Sequence, residues 1–396
     1  MKNNVRLILF AIALVIYEST TYASNDMIMP GMLKVVSDFG APISYVALSL
    51  SLYLLGNAML QIFLGPAAER YGKRRVIIVG NIIFLVFTVF LAISINIKMF
   101  LLGRLLQGTG LAFIAMGYAL IHENFNDKNA VKITALMANV SVLAPIVGPM
   151  IGGLIISYLS WRFVFVCSLI TGLISLYGLI KYAPANKTPL HKLNFKEIIS
   201  GYYSILNTPS FLVGVVAIGF MVMPAMIWIA ISPTLVMHTL KLSIGHYIIY
   251  QAIAIGGFMI STIINQVTAG RVAMTKVIRC GAWASAIGLF IIAVFYNNIL
   301  MIAVGLCLCC VGLGLQNGTM FRILGKLEVK SQSMLFSLMT FIQVIIMAVL
   351  LEVSNNILNK FNYSLASFAI CAIIFGVLSL LLVIKFVSMN KQRNWQ

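Results

Sequence analysis

The sequence predicts an all-α polytopic membrane protein whose twelve transmembrane helices form two six-helix bundles. The first observation behind this fold class is composition: the 396 residues are 61% hydrophobic and only 9% charged, whereas soluble domains carry roughly 25% charged residues. The second is that the apolar residues form twelve runs of the length that a membrane-spanning helix needs, about 20 residues. The third is that basic residues fall mostly on one side of the membrane if every run spans it.

Each run is apolar over its whole length, which favours helices over the short alternating strands of a membrane barrel. The first run follows Lys2 and Arg6 directly and lacks a small-residue cleavage site, so we interpret it as a retained helix rather than a signal peptide. The predicted spans cover residues 7–29, 43–66, 76–95, 98–122, 131–158, 161–182, 209–236, 245–269, 275–295, 298–322, 331–355 and 363–388.

The distribution of charge predicts the orientation of these spans. With a cytoplasmic N-terminus, 21 of the 27 basic residues lie on the cytoplasmic side and five on the outer side, while Arg104 falls within a span. Positive residues accumulate in cytoplasmic loops, so we expect both termini to be cytoplasmic. A net charge of +18 could also indicate a nucleic-acid partner, but the apolar composition argues against one.

The longest polar stretch, residues 183–208, divides the spans into six and six. We therefore predict an N-terminal bundle at 1–182, a central cytoplasmic loop at 183–208 and a C-terminal bundle at 209–396. Within the loop, residues 193–206 could form a short amphipathic helix on the inner membrane surface. Two related six-helix bundles are typical of secondary transporters, whose binding site lies between the halves at mid-membrane depth.

Span 1 carries two acidic residues, Glu18 and Asp26. They are about 12 Å apart along a helix and about 80° apart around it, so both can face one cavity. Ionisable groups inside a bilayer are costly and usually functional, which makes both acids candidates for proton binding. The alternatives are a structural hydrogen bond for Glu18 and a solvated position at the outer rim for Asp26.

Arg104 opens span 4 in the sequence GRLLQGTG. Its fixed positive charge could face a carboxylate of span 1 and tune the affinity of that acid for a proton. The alternative is that Arg104 extends to the outer rim and is solvated there. Glu352, late in span 11, is interpreted as a rim residue.

Span 5 contains the sequence APIVGP. Pro145 and Pro149 remove backbone hydrogen bonds and bend the helix, and Gly148 allows another helix to approach closely. An ordinary kinked and tightly packed helix is the alternative interpretation. In span 7, Trp228 lies between two prolines, and it could be either a cavity aromatic or a lipid-facing residue.

Three motifs together resemble the major facilitator superfamily. Residues 65–75, GPAAERYGKRR, resemble the family's loop between helices 2 and 3, with Glu69 where Asp is usual. Residues 104–110, RLLQGTG, resemble the helix-4 motif linked to proton transfer. Residues 144–149, APIVGP, resemble the helix-5 motif of antiporters, which sugar facilitators and symporters generally lack.

Span 1 and the start of span 5 extend the resemblance to the drug:proton antiporters of this superfamily, over residues 17–32 and 133–140. The resemblance implies a transporter that exports lipophilic cationic or neutral drugs by alternating access. It would be driven by the proton gradient without a cofactor, in a bacterial inner membrane. The expected partners are small lipophilic substrates, protons and the lipid bilayer, and the expected state is a monomer.

The resemblance also implies roles for individual residues, and no catalytic or metal site is expected. Proton coupling would involve Asp26, Glu18 and Arg104. Substrate would contact Tyr22, Asn25, Glu18, Asp26, Met137 and Trp228. Gating and conformational change would involve Gly65, Glu69, Arg70, Gly72, Arg74, Pro145, Gly148 and Pro149.

Other functions stay open as alternatives. A related transporter could export one dedicated metabolite or a siderophore-like compound. A polytopic membrane enzyme is more remote, because the histidines are isolated and form no Ser/His/Asp pattern. A channel would need a filter motif or rings of charge, and ATP hydrolysis would need a Walker loop. The sequence contains none of these features.

Overall fold

The computed structural model describes residues 2–185, 195–268, 271–327 and 332–390. Within these ranges, twelve helices are long and apolar enough to cross a membrane. The predicted all-α fold class with twelve spans is confirmed. Some residues used for the topology prediction lie outside the described residues, namely Lys187, Lys192, Lys330, Lys391 and Arg393.

Contacts along the chain separate two compact units, Met1–Ile198 and Ile199–Gln396. The assignment of residues 183–208 to a separate central loop stays a prediction. The helices of the first unit are α1 (Lys2–Ile28), a 3-10 turn (Met29–Gly31), α2 (Met32–Asp38), α3 (Tyr45–Tyr71), α4 (Lys73–Ala92), α5 (Ile97–Ala112), α6 (Ile114–Asn124), α7 (Asp127–Tyr158) and α8 (Arg162–Tyr182).

A short helix, α9 (Phe195–Leu206), begins within the segment predicted to be amphipathic; residues 193 and 194 of that segment lie outside the described residues. The remaining helices are α10 (Pro209–Pro233), a π-helical turn (Thr234–Thr239), α11 (Ile244–Thr268), α12 (Met274–Val294), α13 (Ile299–Gly325), α14 (Gln332–Lys360) and α15 (Leu365–Met389).

The first span is longer than the sequence predicts. Helical turns continue from α1 through Met29–Gly31 into α2, so the span runs from Val5 to Asp38 rather than ending at residue 29. Pro30 lies in the short 3-10 segment between α1 and α2 and does not stop the span, because membrane helices tolerate proline.

Helical structure also replaces most of the predicted loop at residues 65–75. α3 continues through Pro66 to Tyr71 and α4 begins at Lys73, so Gly72 alone separates the two helices. Gly72 has a φ of +88°, a backbone conformation that residues other than glycine rarely adopt. This one glycine therefore ends α3 and redirects the chain into α4.

Small residues bring the helices of the first unit into backbone contact. α3 and α5 cross at Gly56 and Gly108, where an added Cβ would collide with the carbonyl oxygens of Leu105 and Tyr53 respectively. Such close crossings are common in membrane helices, whose association depends on packing rather than on the hydrophobic effect. The crossing fixes Tyr53 and the residues around Arg104 next to each other.

Candidate functional site

Asp26 lies two residues before the end of α1 and is buried, with 4% of its surface exposed. Its Oδ1 accepts a hydrogen bond from Asn25 Nδ2 at 3.0 Å. Among the described residues, its Oδ2 accepts none. The solvated rim position considered for Asp26 is therefore wrong, because α2 extends the span well beyond it.

Arg104 is fully buried in α5, with 0% of its surface exposed. Its Nε donates to Ser49 Oγ at 3.1 Å and its Nη1 to Gln107 Oε1 at 2.9 Å. Its Nη2 donates to Asn25 Oδ1. The guanidinium also lies 4.5 Å from the centre of the Tyr53 ring, a cation–π distance. The solvated rim interpretation of Arg104 is wrong as well.

Arg104 does not contact the carboxylate of span 1 directly. Among the described residues, no ion pair joins it to Asp26. The side-chain amide of Asn25 lies between them: it accepts from Arg104 and donates to Asp26. The positive charge therefore acts on the acid through one amide, and the two hydrogen bonds fix the orientation of that amide.

A wider polar network surrounds this trio and was missed by sequence reasoning. Gln107 Nε2 donates to Thr88 Oγ1 at 2.9 Å and to Ser24 Oγ at 3.2 Å. Tyr53 Oη donates to the carbonyl oxygen of Thr21 at 2.9 Å. The network joins α1, α3, α4 and α5, so the buried polar groups are satisfied by one another. The available signal was a set of isolated polar residues within otherwise apolar spans.

Glu18 is also buried, with 2% of its surface exposed, but its surroundings differ. Tyr118 Oη, from α6, donates to Glu18 Oε1 at 3.1 Å. Glu18 Oε2 is buried and has no hydrogen-bond partner among the described residues. The alternative of a structural hydrogen bond therefore accounts for one oxygen only. A buried carboxylate oxygen without a partner is costly, and a proton or a ligand donor would relieve that cost.

Tyr22 connects the two acids along α1. Glu18, Tyr22 and Asp26 are spaced four residues apart, and residues with this spacing lie on one face of a helix. Tyr22 is partly buried against the core of the first unit. The acids thus share a face of α1, but Glu18 is bound by α6 whereas Asp26 lies beside the Arg104 network.

The glycine of the span-5 motif packs directly on Asp26. A Cβ added to Gly148 would lie 2.7 Å from Asp26 Cβ, and one added to Gly152 would collide with the backbone of Met27. α7 remains helical through Pro145 and Pro149. The close packing expected of this motif is present, and it occurs at the acid itself.

Two residues predicted to contact substrate lie in packed surroundings. Met137 in α7 is fully buried within the hydrophobic core of the first unit. Trp228 in α10 is also fully buried and packs edge-on against Phe368 at 5.6 Å between ring centres. The lipid-facing interpretation of Trp228 is therefore wrong. Its Nε1 has no hydrogen-bond partner within the part of the chain that the structure describes.

Five of the eight residues predicted to take part in gating lie at or near the junction of α3 and α4, and the other three, Pro145, Gly148 and Pro149, lie in α7. Arg74 Nη2 donates to the carbonyl oxygen of Ile180 at 2.7 Å, near the end of α8. Arg70 lies 5.2 Å from the centre of the Tyr71 ring. Glu69 is exposed, and a Cβ added to Gly65 would meet nothing within 4 Å.

An ion pair at this junction was missed by sequence reasoning. Lys73, the first residue of α4, pairs with Glu123 at the end of α6. Both side chains are about one-fifth exposed, 23% and 22% respectively. The sequence did contain a signal for this pair. Glu123 is an acid at the end of the fourth span, and in a six-helix bundle that end lies close to the basic residues at the start of the third span.

Glu352 lies two turns before the end of α14 and is partly buried. Asn356 Nδ2 donates to its Oε1 at 3.4 Å. The rim interpretation of Glu352 stays a prediction.

Comparisons with known proteins agree with this architecture. The family model described as Major Facilitator Superfamily matches residues 14–350. The chain is 35% identical over 369 residues to the multidrug transporter MdfA of Escherichia coli O157:H7, covering 90% of each protein. It is 34% identical over 320 residues to the chloramphenicol resistance protein CraA of Acinetobacter baumannii, covering 80% of this chain and 78% of that protein.

A solved structure of a D-xylose-proton symporter has the same fold, with a TM-score of 0.75 at 15% identity, covering 95% of this chain and 97% of the other. This likeness concerns the fold alone, whereas the family match and the sequence identities extend over most of the chain. The chain is thus a multi-pass membrane transporter and not an enzyme, which removes the membrane-enzyme alternative. It belongs to the Major Facilitator Superfamily.

Proposed function

We propose that this transporter exports lipophilic cationic or neutral drugs in exchange for protons, by alternating access. The observation that carries the proposal is the buried carboxylate of Asp26. This acid is held by Asn25 beside the fixed charge of Arg104 and is packed against Gly148. Asp26 thus brings together a group that can bind a proton, a nearby positive charge on Arg104 and a close contact with α7.

An antiporter must prevent proton and substrate from occupying the carrier together at full affinity. A single carboxylate that is either protonated or engaged by substrate meets this requirement. Asp26 suits the role, since its Oδ2 accepts no hydrogen bond among the described residues. Tyr22 and Asn25 lie within one turn of it on α1 and can hold a ligand beside it.

The contact with α7 gives protonation a route to conformational change. Asp26 and Gly148 leave no space between the helices, so a change in the charge or position of the carboxylate must be accommodated by α7. Packed helices respond to such shifts by moving between discrete arrangements rather than by deforming continuously. The antiporter motif would then serve as the contact through which α1 acts on α7.

Glu18 supplies a second negative charge in this proposal. Its Oε2 is buried without a partner, so a cationic substrate that approached it would satisfy an oxygen that the described residues leave open. A neutral drug makes less use of that oxygen. Glu18 therefore favours cations, while Asp26 is required for every substrate.

The names of the relatives support drugs as the substrate class. One is a multidrug transporter and another is a chloramphenicol resistance protein. The relatives are bacterial, and the basic residues of this chain lie mainly on one predicted side. We therefore place it in a bacterial inner membrane with both termini cytoplasmic. A monomeric state stays a prediction.

Efflux from cells tests the proposal directly. Cells that express the chain should resist a lipophilic cation and chloramphenicol, and they should lose both resistances when an uncoupler collapses the proton gradient. Cells that express Asp26→Asn at equal membrane levels are the control for protein insertion, because removing an intramembrane charge lowers the cost of insertion. Resistance that survives the uncoupler would contradict proton coupling, and no resistance to any drug would favour a dedicated metabolite instead.

A further inference from the structure

The second unit contains a cavity of about 510 Å³ at the junction of α11, α12 and α13. This volume is typical of small-molecule sites, which occupy roughly 300–1,000 Å³. The junction lies on the side predicted to be cytoplasmic. The polar lining residues are Asn265, Thr268, Arg271, Thr319 and Arg322.

Two arginines give the cavity an unbalanced positive charge. Arg271 and Arg322 are both exposed, and none of the described lining residues is acidic. In the described ranges, neither guanidinium forms a hydrogen bond or an ion pair. Compensation from elsewhere in the unit is limited, because residues 199–396 contain two acids only, Glu328 and Glu352.

The backbone adds to the positive potential of the cavity. α12 begins at Met274 directly after Ala273, both residues line the cavity, and no side chain caps the first turn. The first N–H groups of a helix have no partner within it and carry partial positive charge. Two guanidiniums and an uncapped helix end together form a site that attracts an anion.

The equivalent junction of the first unit contains an ion pair, and no such pair is found among the described residues of this junction. In the first unit, the start of the third span and the end of the fourth are joined by the ion pair of Lys73 with Glu123. In the second unit, the corresponding helices are α12 and α13, and the residue near the end of α13 is Arg322. Near the end of this fourth span a base therefore replaces the acid of the first unit. Glu328 lies outside the described residues, and the described residues of the junction include no acid.

We propose that this cavity binds a phosphate group, carried either by the headgroup of an anionic phospholipid or by free phosphate. Phosphate matches the site because the planar guanidinium fork pairs with it through two parallel hydrogen bonds. A bound phosphate would bridge α12 and α13 and replace the ion pair of the first unit. The inference does not depend on the drug-efflux proposal, since it concerns no residue of the α1 site.

The test uses the purified full-length transporter in phosphatidylcholine nanodiscs. Binding of short-chain phosphatidylglycerol is titrated, with short-chain phosphatidylcholine as the neutral probe. Inorganic phosphate is titrated separately against chloride at equal ionic strength. The variants are Arg271→Gln with Arg322→Gln, the corresponding pair of lysine substitutions, and a matched control that removes two exposed charges outside the cavity, Lys360→Gln with Lys385→Gln.

Wild type and the matched control should bind a phosphate-bearing probe saturably. The double glutamine variant should bind the same probe at least about tenfold more weakly, because the loss of one charge-assisted hydrogen bond is expected to weaken binding by about this factor. The double lysine variant should lie between them, because it keeps the charge without the fork. Saturation by phosphatidylglycerol alone would assign the site to a lipid headgroup, and saturation by inorganic phosphate would assign it to free phosphate. Equal binding by wild type and the double glutamine variant would overturn the proposal, as would no saturable binding of either probe.

Discussion

Asn25 lies between the two buried charged residues Arg104 and Asp26 and fixes their arrangement. Its amide accepts from Arg104 and donates to Asp26, so turning the amide over would break both hydrogen bonds. A direct ion pair would hold the acid in its ionised form. An intervening amide keeps the positive charge near the acid without a direct ion pair, and in the proposed mechanism Asp26 can then exchange a proton.

Arg104 is the residue on which this network depends. Arg104→Ala should abolish drug–proton exchange, because it removes the charge and leaves Ser49, Gln107 and Asn25 without their donor. Each buried polar group left without its partner costs about 1–3 kcal/mol, so the midpoint of thermal unfolding should also fall. Arg104→Lys should retain part of the exchange, since it keeps the charge but not the fork.

Exchange measured in proteoliposomes with an imposed pH gradient tests the Arg104 prediction, and unfolding of the same samples in detergent tests the loss of stability. Full exchange by Arg104→Ala would show that the arginine is dispensable for coupling.

The open oxygen of Glu18 predicts a split between substrates. Glu18→Gln should reduce the efflux of a lipophilic cation by about tenfold or more, since it removes a charge from a desolvated site. Efflux of neutral chloramphenicol should change much less. Paired efflux assays in the same cells measure the ratio, and Tyr118→Phe serves as a control that removes the hydrogen bond to Glu18 but keeps its charge. An equal loss for both drugs would assign Glu18 a role unrelated to substrate charge.

At the scale of helices, α1 and α7 are in close contact at Asp26 and Gly148, and the proposed mechanism uses this contact to pass a change at the acid to α7. Gly148→Ala should slow turnover while drug binding is partly retained, because the added Cβ would lie 2.7 Å from Asp26 Cβ. Overpacking of this kind costs typically about 1–3 kcal/mol. Gly148→Leu should block transport altogether.

Gly256→Ala in α11 is the matched control for this prediction, because a Cβ there would meet nothing within 4 Å. Turnover in proteoliposomes and drug binding in detergent are measured for all variants. Normal turnover by a stably inserted Gly148→Leu protein would show that the close contact is not needed.

The helices themselves could be predicted from the sequence, but several of their ends could not. A bilayer requires about 20 continuous apolar residues, so the twelve runs were evident. The predicted first and second spans end at residues 29 and 66, but helical structure continues through Pro30 and Pro66, since proline is tolerated in membrane helices. Gly72, with its positive φ, marks a real break that composition alone did not distinguish from the glycines around it.

The charged residues of the site could be predicted from the sequence more easily than the side chains that form hydrogen bonds with them. Glu18, Asp26 and Arg104 are detectable because charge is rare in a span. Ser49, Thr88 and Tyr118 are not, because small polar and aromatic side chains occur throughout membrane helices. Which of them reaches a charged group depends on how the helices cross, and those crossings are set by glycines such as Gly56 and Gly108.

At the scale of the whole molecule, the basic residues predict the orientation in the membrane. A reporter fused after Gln396 should be cytoplasmic, and one inserted in the 39–44 connection should be outside, because 21 of 27 basic residues then lie on the cytoplasmic side. Alkaline phosphatase and fluorescent-protein fusions at both sites give opposite signals for each location. A C-terminal reporter on the outer side would contradict the predicted orientation.

Asp26 is the acid through which drug and proton are expected to compete. Drug binding to purified protein in detergent, in weakly buffered solution near neutral pH, should release protons from the wild type. Glu18→Gln should still release protons when a neutral drug binds. Asp26→Asn should bind drug with no release. Undiminished proton release by Asp26→Asn would contradict the account and move the coupling role away from Asp26.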